Sequence, residues 1–179
     1  ASWSANGQVT IWTSTQGTFA VRAATAAILG IPESQVKVIP MEIGGGFGGK
    51  GMTYLDPVAT VLSKKSGRPV KIVMSRQEVF EGTGPASGTY MKAKIGATKD
   101  GLITAGQLYL AFEAGAFPGS PVGGGALTGF GPYHIEHMLV DGYDVVCNKP
   151  KVQGYRAPGQ PQAAFAVESV IDEMAQKLG

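Results

Sequence analysis

Residues 41–51, Met-Glu-Ile-Gly-Gly-Gly-Phe-Gly-Gly-Lys-Gly, constrain the fold of this 179-residue chain more than any other stretch. They separate an apolar, β-branched run (34–41) from a helix-forming run (53–67). Glycine loses more backbone freedom than any other residue when it is fixed in a helix or strand. So dense a cluster therefore belongs to neither, and the order strand, glycine loop, helix follows. What the loop approaches stays open at this point: a phosphate, a dinucleotide, another cofactor, or only its own neighbours.

The flanking pattern alternates between periods of 2 and 3.6. Residues 7–15 predict a strand and 17–29 a helix, with Val21, Ala24, Ile28 and Leu29 at helical spacing, Gly30 as its stop and Pro32 beyond. Residues 34–41 predict a second strand. The helix expected over 53–67 puts Leu55, Val58, Ala59 and Leu62 on one face, Pro57 in the first turn and Gly67 at the stop. Residues 68–75 read as a short buried strand. Two alternating segments, 89–98 and 102–112, flank Lys-Asp-Gly and predict an antiparallel hairpin. Residues 113–132 read as a long Gly- and Pro-rich loop, of the kind that is functional or lies against a partner. A further strand, broken at Gly142, is expected over 138–148. The clearest helix is 161–179, with Ala163, Val167, Val170, Ile171, Met174 and Leu178 on one face. The fold class is α+β: β-α-β units, an antiparallel hairpin, and a long C-terminal helix packed on the sheet.

Composition bounds the function. The net charge of +2 and the lack of a basic patch argue against nucleic acid. No apolar run reaches the roughly 18 residues of a membrane span. Cys147 is the only cysteine, which excludes an internal disulfide and fits a reducing, cytoplasmic compartment. His134 and His137 stand three apart, but no third ligand cluster accompanies them, so a surface or loop role is favoured over a metal site. The chain opens at Ala-Ser-Trp-Ser and stops directly after a helix-forming segment. It is expected to be one domain, 1–179, excised from a longer polypeptide.

The glycine loop nearly fits two nucleotide signatures. Gly44, Gly49 and Lys50 fit a phosphate-binding loop, but Gly51 stands where that loop needs a magnesium-binding Ser or Thr. Gly44, Gly46 and Gly49 fit the dinucleotide fingerprint, and Arg76 after the next expected strand could meet a 2′-phosphate. That match is nearly automatic, because five of the six residues from Gly44 to Gly49 are glycine. A nicotinamide-binding domain stays open, as does a non-enzymatic α+β interaction module.

A second unusual stretch, Gly-Tyr-Arg-Ala-Pro-Gly-Gln-Pro-Gln (154–162), runs directly into the last helix. It places Arg156 on a constrained loop near a helix N-terminus, a setting that favours anions. Read in order, Trp-Thr-Ser-Thr-Gln-Gly-Thr-Phe (12–19), the glycine loop and this stretch resemble the molybdenum-binding large subunit of the xanthine dehydrogenase and aldehyde oxidase family. The resemblance covers nearly the whole chain and corresponds to the first molybdenum-cofactor-binding segment. Carbon monoxide dehydrogenase large subunits belong to the same group.

The resemblance implies a molybdenum–molybdopterin cofactor here, with [2Fe-2S] clusters and FAD on partner subunits or domains. Gln16 matches an amide that hydrogen-bonds an oxygen ligand of the metal. Phe47, with the amides of Gly45, Gly46 and Gly48, matches the loop against the metal's ligand face. Arg156 and Ala157 match the aromatic-Arg motif beside the metal. No residue is a direct metal ligand, and no catalytic base is assigned. The base is expected in a later domain, and Glu42, Glu113 and Asp141 lack motif support. Three departures bear on substrate. Gly51 replaces the Glu of purine-oxidising members, and Ala86 stands near their second Arg. Ala157 replaces the Cys of carbon monoxide-oxidising members. The implied reaction is hydroxylation of an aldehyde or N-heteroaromatic carbon with oxygen from water. This segment alone is expected to be inactive.

Overall fold

Val9–Thr13 alternates in the chain and in space: Val9 and Ile11 are buried and Trp12 is exposed. That period-2 burial is what a strand with one covered face requires. The fold is described by a computed structural model covering residues 1–179. The chain divides into two compact units, Ala1–Thr83 and Gly84–Gly179.

In the first unit, β1 (Ser2–Trp3) pairs antiparallel with β2 (Val9–Thr13), which pairs parallel with β3 (Val36–Pro40). The crossover between β2 and β3 carries α1 (Thr18–Leu29), so the expected β-α-β passage forms. Val9, Ile11, Ala26 and Val36 make its core. Complete burial of side chains the size of Val9, Ile11 and Val36 stabilises by about 1.5–3 kcal/mol each. α1 and α2 (Asp56–Ser66) end at Gly30 and Gly67 in the left-handed conformation, as their C′ positions predict.

Two helix faces differ from expectation. On α1 the buried residues are Val21, Thr25 and Ala26, while Ile28 is exposed. On α2 they are Pro57, Ala59, Thr60 and Ser63, while Val58 and Leu62 face outward. Hydrogen bonding decides the second case. Thr60 Oγ1 donates to the Asp56 carbonyl at 2.7 Å, and Ser63 Oγ donates to the Arg68 carbonyl at 2.7 Å while accepting from Trp3 N–H at 2.9 Å. Small satisfied hydroxyls let the helix lie close to β1.

Residues 68–75 do not form the expected strand. Val70 and Ala1 exchange one pair of hydrogen bonds, at 2.8 and 2.9 Å, and the pairing stops there. Val73 is 73% exposed and Val70, Ile72 and Met74 are only half-buried, so the run is not the buried strand expected. The segment leads into α3 (Arg76–Gly82), opened by a capping box: Ser75 Oγ accepts from Glu78 N–H, and the Glu78 carboxylate accepts from Ser75 N–H at 2.7 Å.

The second unit is built on β4 (Thr89–Ala97), β5 (Ile103–Gly115) and β6 (His137–Val146), in the order β4-β5-β6. The hairpin forms as predicted, and α5 (Gln160–Leu178) packs on the sheet through Ala163 and Val167. Leu108, Leu110, Phe112, Phe130 and Ile135 complete that core. β6 runs unbroken past Gly142, parallel to β5. A parallel neighbour requires a crossover of a dozen residues or more. Residues expected as a long loop supply it, with a short helix inside, α4 (Val122–Thr128). The glycines of α4 serve close packing. A Cβ on Gly125 would lie 3.0 Å from the Gly159 carbonyl oxygen, and one on Gly124 would lie 2.6 Å from that of Pro158.

Candidate cofactor site

The glycine loop is held by the segment that follows β2. Met41 N–H donates to the Thr13 carbonyl at 2.9 Å as β3 ends, and Gln16 N–H donates to the Lys50 carbonyl at 2.9 Å. Thr15 Oγ1 donates to the same carbonyl at 3.1 Å. Both ends of the loop are therefore tied to residues 13–16.

Gln16 engages the loop through its side-chain carbonyl. Its Oε1 accepts the Gly48 N–H at 2.9 Å and the Lys50 N–H at 3.2 Å. With the carbonyl end taken by two donors, the NH2 is the end left to donate, and Gln16 is exposed. Gly46 must be glycine for this contact, since its Cβ would lie 2.5 Å from Gln16 Oε1. Phe47 carries φ of 52° and is 57% exposed, and a Cβ on Gly45 would lie 3.0 Å from its ring. A bulky residue in the left-handed region is strained and persists only where its surroundings enforce it. Gln16, Gly45, Gly46, Phe47 and Gly48 are thus gathered in one place.

Arg156 and Ala157 lie in the second unit, on the turn before α5, and both are exposed. They have φ of 22° and 55° and, with Phe47, are the chain's three non-glycine residues at positive φ. The turn is closed by Gln160 N–H donating to the Ala157 carbonyl at 3.1 Å. Gly159 (φ 87°) lies against α4: a Cβ there would run into the Pro121 carbonyl and lie 2.8 Å from Gly125 N. The Gly- and Pro-rich stretch 113–132 therefore supports the Arg156 turn, a role its composition did not announce.

Charged neighbours are engaged locally. Glu113 pairs with Lys149 at 2.6 Å, which raises the Lys149 ammonium above its ordinary value. Beside the Ser120 hydroxyl and accepting from the amides of Gly119 and Ser120 at 2.7 and 2.8 Å, the Asp144 carboxyl is held below the usual aspartate range, and the two amide bonds tie the approach to α4 down. Glu42 is exposed. Asp141 sits in β6 opposite Tyr109. His137 opens β6, so it shares no helical face with His134. No group of three or more His, Cys, Asp or Glu side chains gathers to hold a metal ion.

Sequence reasoning named the loop but missed the residues that hold it. Lys50, Ser14 and Thr15 carry most of its hydrogen bonds. The signal was present: a lysine closing a glycine loop without the following Ser or Thr has to place its ammonium elsewhere.

The sequence model describing the molybdopterin cofactor-binding domain matches residues 1–179. The chain belongs to that family. As a molybdopterin cofactor-binding domain it is 33% identical over 178 residues to the nicotinate dehydrogenase large molybdopterin subunit of Eubacterium barkeri, covering 97% of this chain and 41% of that protein. It is 35% identical over 182 residues to the carbon monoxide dehydrogenase large chain of Afipia carboxidovorans, covering 96% of this chain and 22% of the relative. Quinoline 2-oxidoreductase from Pseudomonas putida 86 superposes with a TM-score of 0.90 at 28% identity, over 100% of this chain and 24% of that one. The chain thus spans less than half the length of these relatives. The expected resemblance and α+β class hold. No helix of the domain is long and apolar enough to cross a membrane.

The residues present fit a molybdopterin-bound metal with oxygen-rich ligands. The loop presents an amide donor whose acceptor end is already satisfied, and Gly46 leaves room for it. Lys50, the one cation in the loop, is turned inward onto the Ile43 carbonyl and Ser14 Oγ. A dinucleotide unit needs a parallel strand after the helix that follows the loop. Residues 68–75 do not supply it.

Proposed function

We propose that this chain is the first cofactor-binding part of a molybdenum hydroxylase large subunit, with both units acting as one cofactor-binding domain of a longer protein. The observation that carries the reading is the Gln16 amide, whose Oε1 accepts from Gly48 and Lys50, so that its NH2 is the end left to donate. When bound, the cofactor supplies two-electron oxidation of a substrate carbon with oxygen taken from water. With the cofactor bound, Gln16 would donate to an oxygen ligand of the metal. The strained Phe47 and the backbone of Gly45, Gly46 and Gly48 would hold the cofactor from the loop side. Arg156 and Ala157 are assigned to the same cofactor on the likeness of their own turn. The donors are neutral amides, which orient anionic ligands without proton or redox chemistry of their own.

An aldehyde or N-heteroaromatic substrate is favoured. Nicotinate and quinoline, named for two of the relatives, are N-heteroaromatics. Gly51 and Ala86 lack the side chains that purine-oxidising members carry. Ala157 offers no sulfur, which argues against carbon monoxide despite the 35% identity. Iron–sulfur and flavin partners, a cytoplasmic location and a base from another domain complete the proposal. The test is the cofactor content of the complete large subunit. Molybdenum with pterin supports the reading, whereas micromolar NAD or NADP binding in their place overturns it.

A further inference from the structure

Lys50 sits where a phosphate-binding loop would aim its ammonium at the ligand. Here Nζ donates back to Ser14 Oγ at 2.9 Å and to the Ile43 carbonyl. Ser14 Oγ in turn donates to the same Ile43 carbonyl at 3.1 Å. Lysine, serine and carbonyl close a triangle across the mouth of the loop. The backbone of the same residue reaches the other way: its N–H donates to Gln16 Oε1 at 3.2 Å, and its carbonyl accepts from Gln16 N–H and Thr15 Oγ1.

We propose that Lys50 is a positioning residue that sets the direction of the Gln16 amide by clasping Ile43, at the start of the glycine loop, to Ser14. The inference rests on the proposed function only for what Gln16 faces; the clasp itself is independent of it. The loop needs such a device. Gly44, Gly45 and Gly48 all lie at positive φ, where glycine has several accessible conformations, and no element of regular structure spans 41–55. A charge-assisted donor reaching two oxygens is about twice as strong as a neutral one and can hold both ends at once. A side chain that ligated an anion directly would leave Ser14 Oγ and the Ile43 carbonyl to other donors.

The test is amide hydrogen exchange of residues 44–49 in the complete large subunit, comparing wild type with Lys50→Met, Ser14→Ala and the double variant. Gly48 N–H, which bonds Gln16 Oε1, is expected to exchange at least about tenfold faster in Lys50→Met. Ser14→Ala should speed it by less, and the double variant, which also removes the Ser14–Ile43 bond, should exceed Lys50→Met by less than the effect of Ser14→Ala alone. Peptides from β2 and α1 should keep wild-type protection. In the loaded protein the Mo(V) paramagnetic resonance line should shift at equal metal content. Unchanged Gly48 exchange in Lys50→Met overturns the proposal. So do strictly additive effects of the two substitutions, or loss of protection throughout residues 1–83. Should Lys50→Met not fold, Ser14→Ala alone decides, because faster Gly48 exchange with an intact β2 supports the clasp and unchanged exchange overturns it. A complete protein without molybdenum would remove the functional reading and leave the exchange result to judge Lys50.

Discussion

Gln16 and Gly48 are joined side chain to backbone: the Gln16 Oε1 accepts the Gly48 N–H at 2.9 Å, 32 residues away in sequence. The contact decides which end of the amide faces out. Gln16→Glu keeps the acceptor for Gly48 and Lys50 but removes the outward donor and adds a negative charge. It should leave stability within about 0.5 kcal/mol of wild type and lower turnover of the complete enzyme about a hundredfold or more. Gln16→Ala should also loosen the loop, by about 1–2 kcal/mol in local opening. Steady-state kinetics beside urea unfolding separates the two effects. Equal losses of stability in both variants would reduce Gln16 to a structural brace.

The turn bearing Arg156 depends on Gly159 for shape as well as conformation. Alanine there meets a φ of 87° and a Cβ driven into the Pro121 carbonyl. Gly101 has nearly the same φ, 88°, with nothing within 4 Å of its Cβ. Gly101→Ala should therefore cost only about 1 kcal/mol. Gly159→Ala should cost about 3 kcal/mol or more. Denaturant unfolding of both variants reads the difference, and equal costs would show that α4 does not brace the turn.

Asp144 gives a pH dependence with a definite sign. Beside the Ser120 hydroxyl and bonded by the amides of Gly119 and Ser120, its carboxyl is held below the ordinary value of 3.8. A folded-state pKa below the unfolded one adds stability that is fully present above the ordinary value and disappears as pH falls through the depressed one. Asp144→Asn should cost about 1 kcal/mol at neutral pH, a modest figure because the group is exposed. Its unfolding midpoint should converge on wild type as the solution is acidified below pH 3.8. A constant gap between the two proteins across that range would exclude the carboxylate as the cause.

Much of this was legible in the chain because local chemistry and tertiary packing agree. Gly30 and Gly67 stop their helices, Lys-Asp-Gly turns the hairpin, and α5 carries its apolar stripe. Residues 68–75 are apolar but form no strand, because no neighbouring strand pairs with them beyond the Ala1–Val70 contact. Ser75 and Glu78 carried the Ser-x-x-Glu signature of α3, masked by that run. α4 was hidden because glycine reads as a breaker, whereas here it removes side chains that would collide with residues 158–159. The partners of Lys50 are not readable from sequence, since nothing local links Ser14 to Ile43. The order of the three motifs carried the family resemblance, while the direction of the Gln16 amide needed coordinates.

The most direct measurement is molybdenum and pterin content, by elemental mass spectrometry and pterin fluorescence, of the complete large subunit beside the isolated 179-residue chain. The complete protein should hold about one molybdenum and one pterin per chain. The isolated chain should hold neither in stoichiometric amount, because most of the pterin contacts are expected in the rest of the protein. A complete protein devoid of both, binding NAD or NADP instead, would contradict the assignment of the Gln16 loop to a molybdenum cofactor.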